Sequence, residues 1–132
     1  IDMPPGTGDV QLTMAQELPL CGVVLVTTPQ MLSTDDVSRA IVMFQDIHVP
    51  ILGLVENMSY FIAPDTKKRY DIFGSGGAQK LCSTYTIPLL GQIPLTNDIL
   101  NLSDQGKIAI ALGEVETKKI YESIARKIRE VI

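Results

Sequence analysis

An aspartate, two glycines and a pair of prolines stand together in the first ten residues, Ile1–Val10 (IDMPPGTGDV). This pattern predicts the end of a strand that runs into a stiff, glycine-rich turn. In such a turn Asp2 could hold a water molecule bound to Mg²⁺, and Gly6 could bring a backbone N–H close to a terminal phosphate, because it carries no Cβ. A plain Pro-Gly turn capped by Asp2 would use the same residues, so the spacing alone leaves both interpretations open.

Composition limits the class of protein. The chain has 132 residues, of which 45% are hydrophobic and 20% charged, and a formal net charge of -4. This length predicts one domain, and the acidic balance argues against a nucleic-acid partner, because binding to phosphate backbones requires a basic face. Since no apolar run approaches the ~20 residues that cross a bilayer, we expect no membrane partner and a cytoplasmic protein.

Three apolar segments are predicted as strands of a parallel sheet: Val23–Thr28, Ile51–Val55 and Pro88–Ile93. They lack polar alternation, which is typical of strands covered on both faces. Between the first two strands, Ser33 and Asp36 fit a capping box at a helix start, which predicts a βαβ unit. The apolar stripe of that helix follows at helical spacing: Val37, Ala40, Ile41, Phe44 and Ile47.

The remaining segments complete an α/β, doubly wound pattern. Tyr60–Phe73 has the composition of a hairpin outside the regular winding, with the basic run Lys67–Arg69 as a solvated tip or, second, a docking patch. Short helices are expected over Ala78–Thr84 and near Asn97–Leu102, and a longer one over Val115–Val131. The apolar face predicted for this last helix consists of Ile120, Tyr121, Ile124, Ile128 and Val131.

Five ordered segments span most of the chain: DMPPGTGDVQLT (Asp2–Thr13), VLVTTPQ (Val24–Gln30), GLVENMSY (Gly53–Tyr60), IFGSGGA (Ile72–Ala78) and LGQIPLTND (Leu90–Asp98). Together they resemble the Mrp/ApbC family of P-loop ATPases, which are relatives of MinD and of the nitrogenase iron protein. The first segment is similar to the switch II segment of that family. The resemblance implies a doubly wound, mainly parallel α/β domain of the SIMIBI type.

Members of this family carry a phosphate-binding Walker A loop well before switch II, whereas this sequence contains no G-x-x-x-x-G-K-[ST] motif. The resemblance therefore implies that residues 1–132 are the C-terminal portion of a single P-loop ATPase domain, from switch II to the C-terminal helix. In the family's sheet, the P-loop strand lies between the switch II strand and the counterpart of Val23–Thr28. That edge would be unpaired here, so we expect the chain to self-associate through it or to leave its opening turn disordered.

The resemblance also implies roles for single residues. Asp2 would orient a water molecule bound to Mg²⁺, and Gly6 would sense the γ-phosphate of ATP. Asn57 matches the position whose side-chain amide, with its donor and its acceptor, reads the edge of adenine; an Asx-turn cap is the alternative. Pro94 and the loop after it would line the other face of the base, unless Pro94 simply terminates a strand.

The hairpin segment departs from the family pattern. Many Mrp/ApbC proteins carry a C-x-x-C shortly after the ENMS motif, and two such pairs, one per subunit, would bridge a [4Fe–4S] cluster across a dimer. Here Ala63 stands where the first cysteine is expected. Cys21 and Cys82 are not placed to substitute and are interpreted as small apolar fillers. No iron–sulfur ligand is therefore predicted in this chain, and cluster binding would need other ligands.

The resemblance implies a full-length protein that binds and hydrolyses ATP with Mg²⁺ and acts in iron–sulfur cluster assembly or transfer. It would work as a homodimer with ATP at the interface, and client or scaffold proteins would be its partners. This chain alone lacks the Walker A lysines, so we expect it not to hydrolyse ATP.

Two alternatives remain open at this point. One is a MinD/ParA-like positioning ATPase that is anchored to membranes by its terminal helix, Lys118–Ile132. The other is a non-enzymatic adaptor that binds nucleotide weakly through Asn57 and docks partners through Tyr60–Phe73.

Overall fold

The computed structural model describes residues 1–107 and 115–132, which form an α/β fold around a parallel sheet. Its strands are β1 (Val23–Thr27), β2 (Ile51–Glu56), β3 (Phe61–Ile62), β4 (Arg69–Tyr70) and β5 (Leu89–Gln92). The helices in the described ranges are α1 (Asp9–Glu17), α2 (Met31–Asp46), α3 (Gly77–Tyr85), α4 (Asn97–Asp104) and α5 (Val115–Val131). Within these ranges no helix combines the length and the apolar character needed to cross a membrane.

β1, β2 and β5 form the main sheet in that spatial order, and both neighbouring pairs are parallel. All three strands lie where the apolar segments predicted them, and their ends differ by a single residue at most. The central strand, β2, is buried from Leu52 to Glu56, as expected of a strand covered on both faces. The order β1–α2–β2 confirms the predicted βαβ unit.

Helices cover both faces of the sheet, which confirms the predicted doubly wound arrangement. On one face α2 and α3 enclose a core that contains Ile41 and Leu54, and the predicted stripe of α2 lies in this core. On the other face α5 packs on β5 and β2 around Leu90 and Ile124. Val131 does not share the apolar face predicted for α5, because it lies at the helix end and is 55% exposed.

The capping box predicted at Ser33 and Asp36 is wrong. α2 begins at Met31, and its cap residue makes no side-chain hydrogen bond. The Ser33 hydroxyl instead accepts a hydrogen bond from the Thr28 backbone N–H at 3.0 Å and lies 3.0 Å from the Thr27 hydroxyl. Because the Ser33 hydroxyl bonds to the Thr28 N–H at the end of β1, it does not cap α2. The bond connects the first turn of α2 to the sheet.

The sequence pattern predicts no helix at α1. Its apolar residues Val10, Leu12 and Met14 alternate with polar residues, which is the spacing of a strand. The buried positions are instead Gln11 and Ala15, four residues apart on one helical face. Because half of that face is polar, hydrophobic periodicity alone could not reveal the helix.

β1 lies at one edge of the main sheet and is less covered than predicted. Val26 is 57% exposed, although the apolar run indicated burial on both faces. Ile1 and Asp2, predicted as the end of a strand, are exposed and pair with no strand in the described ranges. A strand needs a hydrogen-bonded neighbour, so these two residues remain irregular.

The segment between β2 and α3 forms the predicted hairpin, in which β3 and β4 pair antiparallel. Its tip is exposed from Pro64 to Tyr70, as expected for the basic run Lys67–Arg69. At the base, the Arg69 guanidinium lies 4.2 Å from the centre of the Tyr60 ring. This cation–π contact holds the base of the hairpin while the tip remains in solvent.

Substitution of Gly91 tests the packing of α5 on β5. A Cβ at this position would lie 2.6 Å from the Ile124 Cγ1, closer than packed atoms can approach. We expect Gly91→Ala to lower the free energy of unfolding by about 1–3 kcal/mol, measured by urea denaturation. In an Ile124→Ala background the same substitution should cost less, because the clashing atoms are gone. Equal losses in both backgrounds would contradict the close contact.

The unpaired outer edge of β1 allows the expected self-association of the chain to be tested. The sequence leads us to expect either self-association through this edge or a disordered opening turn, and self-association is the outcome that can be measured directly. Residues 1–132 alone should form oligomers whose mass in light scattering rises with concentration, because β1 presents unpaired backbone groups. Val26→Lys should shift this equilibrium toward the monomer. Val42→Lys, at an exposed position of α2, adds the same charge away from the edge and should leave the equilibrium unchanged. A wild-type monomer at every concentration would refute the expectation.

Candidate functional site

The carboxyl ends of β1, β2 and β5 meet at one edge of the sheet, because the three strands are parallel. Ligands of open α/β sheets bind in the crevice outside this edge. Two of the predicted site residues lie here: Asn57 follows β2 directly, and Pro94 comes shortly after β5. The edge is therefore the candidate functional site.

Asn57 is held in place by its backbone. Its N–H donates to the Thr27 carbonyl at 2.7 Å, which extends the pairing of β1 with β2 by one residue. Its Oδ1 accepts a hydrogen bond from the Met58 N–H at 2.9 Å, and Met58 adopts a left-handed backbone with φ of 52°. This bond comes from the next residue, whereas an Asx-turn would use the N–H two residues on, so the turn that was the alternative role is not formed. The Nδ2 amide group is the part that can donate to a ligand.

The loops that follow β2 and β5 are hydrogen-bonded to each other on both sides of Pro94. The Ile93 N–H donates to the Glu56 carbonyl at 2.8 Å, and the Leu95 N–H donates to the Tyr60 carbonyl at 2.7 Å. Pro94 lacks an N–H, so it fits between these two positions without leaving a donor unpaired. The fold thus brings the two residues expected to bind the base onto adjacent, connected loops.

Asp2 and Gly6 lie in the opening turn, where both are exposed. Gly6 has φ of 95°, a conformation that favours glycine. The buried Gln11 of α1 holds the turn, because its Nε2 donates to the Pro4 carbonyl at 3.2 Å and also to the Pro5 carbonyl. The turn is therefore fixed by a polar side chain rather than by pairing with the sheet.

A groove of about 610 Å³ separates the opening turn from β1. Asp2 and Gly6 line it, together with β1 residues and the facing side of α2. Neither Asn57 nor Pro94 is among its lining residues. The structure thus places the four predicted site residues as two separate pairs, one at the free edge of β1 and one beside β2 and β5.

Glu56 is a residue of the carboxyl edge that the sequence pattern did not single out. Its side chain is 1% exposed. Its Oε1 accepts hydrogen bonds from the Ser59 hydroxyl at 2.6 Å and the Gln92 Nε2 at 2.9 Å, and its Oε2 accepts from the Ala78 N–H at 3.1 Å. The sequence signal is a carboxylate directly after the apolar run Ile51–Val55, where a charge must find donors inside the protein.

The cysteines of the described chain are not arranged as cluster ligands. Ala63 begins the hairpin tip, where its N–H donates to the Lys68 carbonyl at 3.0 Å. Cys82 packs against the first core, and burial, followed by the negative charge of Glu56, raises the pKa of its thiol. The packing of Cys82 against this core confirms the small apolar role predicted for it. The same prediction is wrong for Cys21, which precedes β1 and is exposed.

Within residues 1–107 and 115–132, no group of three or more His, Cys, Asp or Glu side chains is arranged to hold a metal ion. Any metal bound here by fewer residues would need further ligands from a substrate or from water, as Mg²⁺ commonly does.

The packing of the C-terminal helix α5 argues against the alternative in which this helix is a membrane anchor. Ile124 of α5 is buried, and Ile120 and Ile128 pack with it against the sheet. Lys127 fixes the same contact, since its Nζ donates to the Leu90 carbonyl at 2.7 Å. The apolar face that an anchor would insert into a membrane is therefore occupied by the protein's own sheet.

Comparison with known proteins is consistent with this geometry. Residues 1–129 match the family model described as "ParA: NUBPL iron-transfer P-loop NTPase". The chain is 43% identical over 133 residues to the iron-sulfur cluster carrier protein of Aquifex aeolicus. That match covers 100% of this chain and 36% of the relative, so the chain spans well under half of the relative's length.

Two solved structures have similar folds. The nucleotide-binding protein of Archaeoglobus fulgidus, in complex with ADP, superimposes with a TM-score of 0.71 at 42% identity, over 81% of this chain and 44% of that chain. The cell division ATPase MinD of Pyrococcus furiosus gives a TM-score of 0.66 over 85% of this chain and 44% of its own, and at 21% identity it shows the fold alone. Because the family model covers nearly the whole sequence, the chain belongs to the NUBPL-type family of iron-transfer P-loop NTPases.

Proposed function

We propose that residues 1–132 are the C-terminal portion of a P-loop ATPase that assembles or transfers iron–sulfur clusters. The observation that carries this proposal is the placement of Asn57 and Pro94 on connected loops at the carboxyl edge of the sheet, in a chain of this family. The relative from Aquifex aeolicus is named an iron-sulfur cluster carrier, and the structure from Archaeoglobus fulgidus contains ADP. The complete protein would act in the cytoplasm as a homodimer with client or scaffold proteins.

Asn57 and Pro94 would bind the adenine base of ATP. The Oδ1 of Asn57 accepts from the Met58 N–H, and its Nδ2 would donate to an acceptor nitrogen at the edge of the base. Pro94 would present an apolar ring to the face of the base. Because both loops are held by backbone hydrogen bonds at either side, the base would enter a preformed site.

The opening turn would serve the phosphate end of the nucleotide. Asp2 offers an exposed carboxylate, which fits Mg²⁺, an ion commonly held by one or two carboxylates together with substrate phosphates. Gly6 would allow a backbone N–H to approach the γ-phosphate. Mg²⁺, when bound, would neutralise charge on the transferring phosphoryl group. The lysines for this reaction would come from a Walker A loop, a motif absent from these 132 residues.

The iron–sulfur cluster would be cargo rather than a resident group of this chain. The hairpin tip carries Ala63 in place of a thiolate ligand, and Cys82 is partly buried in α3 with a raised thiol pKa. Ligands for the cluster would therefore come from residues outside this chain or from a partner protein. The hairpin itself would remain a docking element.

Substitutions in the complete protein, meaning this chain joined to its Walker A segment, test the two halves of the site. We expect Asp2→Asn to lower ATP turnover by roughly 100-fold, because the charge that orients the Mg²⁺-bound water is lost. We expect Asn57→Ala to weaken ATP binding by about tenfold, as removal of one hydrogen bond to the base would. Steady-state phosphate release and nucleotide titration measure the two effects.

Matched controls use the same chemical changes at exposed positions elsewhere. Asp46→Asn, at the end of α2, and Asn101→Ala, in α4, should leave both turnover and affinity unchanged. Turnover by residues 1–132 alone, or an Asp2→Asn protein with full activity, would refute the assignment.

Installing a cysteine pair tests whether the hairpin retains the scaffold for a cluster. Ala63→Cys combined with Thr66→Cys creates the family's C-x-x-C spacing at the tip of the hairpin. We expect the complete protein with both substitutions to take up iron and sulfide on anaerobic reconstitution, because thiolates are the ligands that such clusters require. Ala63→Ser with Thr66→Ser is the control and should bind neither. Equal iron content in all variants would show that the hairpin does not hold clusters.

A further inference from the structure

Glu56 carries a charge in a place that water does not reach. Its side chain is 1% exposed at the carboxyl end of the central strand. A buried carboxylate is tolerated only when hydrogen-bond donors replace its hydration. Here the donors come from three separate segments: Ser59 after β2, Gln92 at the end of β5, and Ala78 at the start of α3.

Two of these donors, Ser59 and Ala78, lie at the two ends of the hairpin segment, and we call them the roots of the hairpin. Ser59 directly precedes the hairpin segment 60–73, and Ala78 follows it at the first turn of α3. The two roots use different oxygens of the carboxylate, since Ser59 donates to Oε1 at 2.6 Å and Ala78 donates to Oε2 at 3.1 Å. One carboxylate therefore fixes both ends of the hairpin, and the positive end of α3 adds to its stabilisation.

The glycine-rich segment 74–77 leads from the hairpin back to the Glu56 carboxylate. Gly74 and Gly76 have φ of 92° and 80°, a conformation that other residues rarely adopt. A Cβ at Gly77 would lie 2.9 Å from the Pro29 carbonyl oxygen, so the chain passes tightly against the end of β1. The backbone conformations of these glycines place the Ala78 N–H within hydrogen-bond distance of the Glu56 carboxylate.

Asn57 lies inside the same arrangement. It stands between Glu56, which is paired in the sheet, and Ser59, which is bonded to the Glu56 side chain and, through its N–H, to the Ile93 carbonyl at 2.9 Å. Any displacement of Asn57 must therefore strain the bond from Ser59 to Glu56. Asn57, the proposed base-binding residue, and Ser59, the first root of the hairpin, are therefore both attached to Glu56, one through the backbone and one through a hydrogen bond.

We infer that Glu56 is a positioning residue that couples the base-binding loop to the hairpin, so that a nucleotide bound at Asn57 restricts the motion of the hairpin. This inference rests on the proposed function, because it requires nucleotide at Asn57. The coupling passes through the Ser59 and Ala78 hydrogen bonds, whereas the bond from Gln92 holds β5 and does not reach the hairpin. A purely structural role for Glu56 would make no such distinction among its partners.

Hydrogen exchange on the complete protein tests the coupling. ADP with Mg²⁺ is the probe, and its binding is measured separately by calorimetry. In the wild-type protein, ADP should slow amide exchange in the hairpin peptides over residues 61–70. Glu56→Met keeps the side-chain length but removes both acceptor oxygens, so neither root of the hairpin keeps its hydrogen bond to residue 56. This variant should still bind ADP and should lose most of the protection that ADP gives to the hairpin.

Three further variants separate coupling from loss of stability. Ser59→Ala releases one root and should reduce the ADP-dependent protection, whereas Gln92→Met leaves both roots attached and should retain it. Ile41→Val shortens a fully buried side chain of α2 and is the control for general destabilisation. It should also retain the protection. If Glu56→Met does not fold, the comparison of Ser59→Ala with Gln92→Met decides the question.

The outcomes distinguish the inference from the function on which it rests. If ADP does not bind the wild-type protein, the proposed function fails and the coupling fails with it. If ADP binds but the exchange of the hairpin is unchanged, only the coupling is wrong. Equal loss of protection in the Ser59, Gln92 and Ile41 variants would likewise overturn it, because Glu56 would then act through stability alone.

Discussion

A carboxylate that is withdrawn from water must be surrounded by hydrogen-bond donors, and the carboxyl edge of this sheet is arranged around that requirement. Glu56 draws the loop after β2, the end of β5 and the start of α3 to a single point. Three segments that are distant in the sequence are thereby fixed relative to one another. The arrangement is costly to disturb, since loss of any one donor leaves a charged oxygen poorly solvated. This network joins the loop that contains Asn57 to both roots of the hairpin.

The candidate site is divided between the open edge of β1 and the paired ends of β2 and β5. The side with Asn57 and Pro94 lies where β2 and β5 are paired, and its loops are held by hydrogen bonds within the chain. The side with Asp2 and Gly6 faces a groove along β1, whose outer edge is unpaired in the described structure. The backbone N–H and C=O groups on the outer side of an edge strand have no partner within the sheet. The side with Asp2 and Gly6 is accordingly the open side.

The hairpin combines a fixed base with an open tip. Its base is held by the Arg69 contact with Tyr60 and by the two roots at Glu56, whereas its tip is exposed to solvent. An exposed tip tolerates substitution, because few contacts depend on the identity of its side chains. Ala63 at this tip therefore offers no thiolate, and the fold of the hairpin does not depend on its side chain.

Sequence alone determined the strands, the stripe of α2 around Ile41 and the hairpin, because burial of apolar side chains is a local pattern that periodicity records. It also identified the candidate residues Asp2, Gly6, Asn57 and Pro94 through the order of their motifs. Tertiary structure decided that Ser33 bonds to the end of β1 instead of capping α2, and that α1 forms although its apolar residues alternate. It likewise decided that Glu56 is the common anchor of three segments. Those features rest on hydrogen bonds between residues far apart in the chain, and no spacing within one segment can encode where a distant donor will lie.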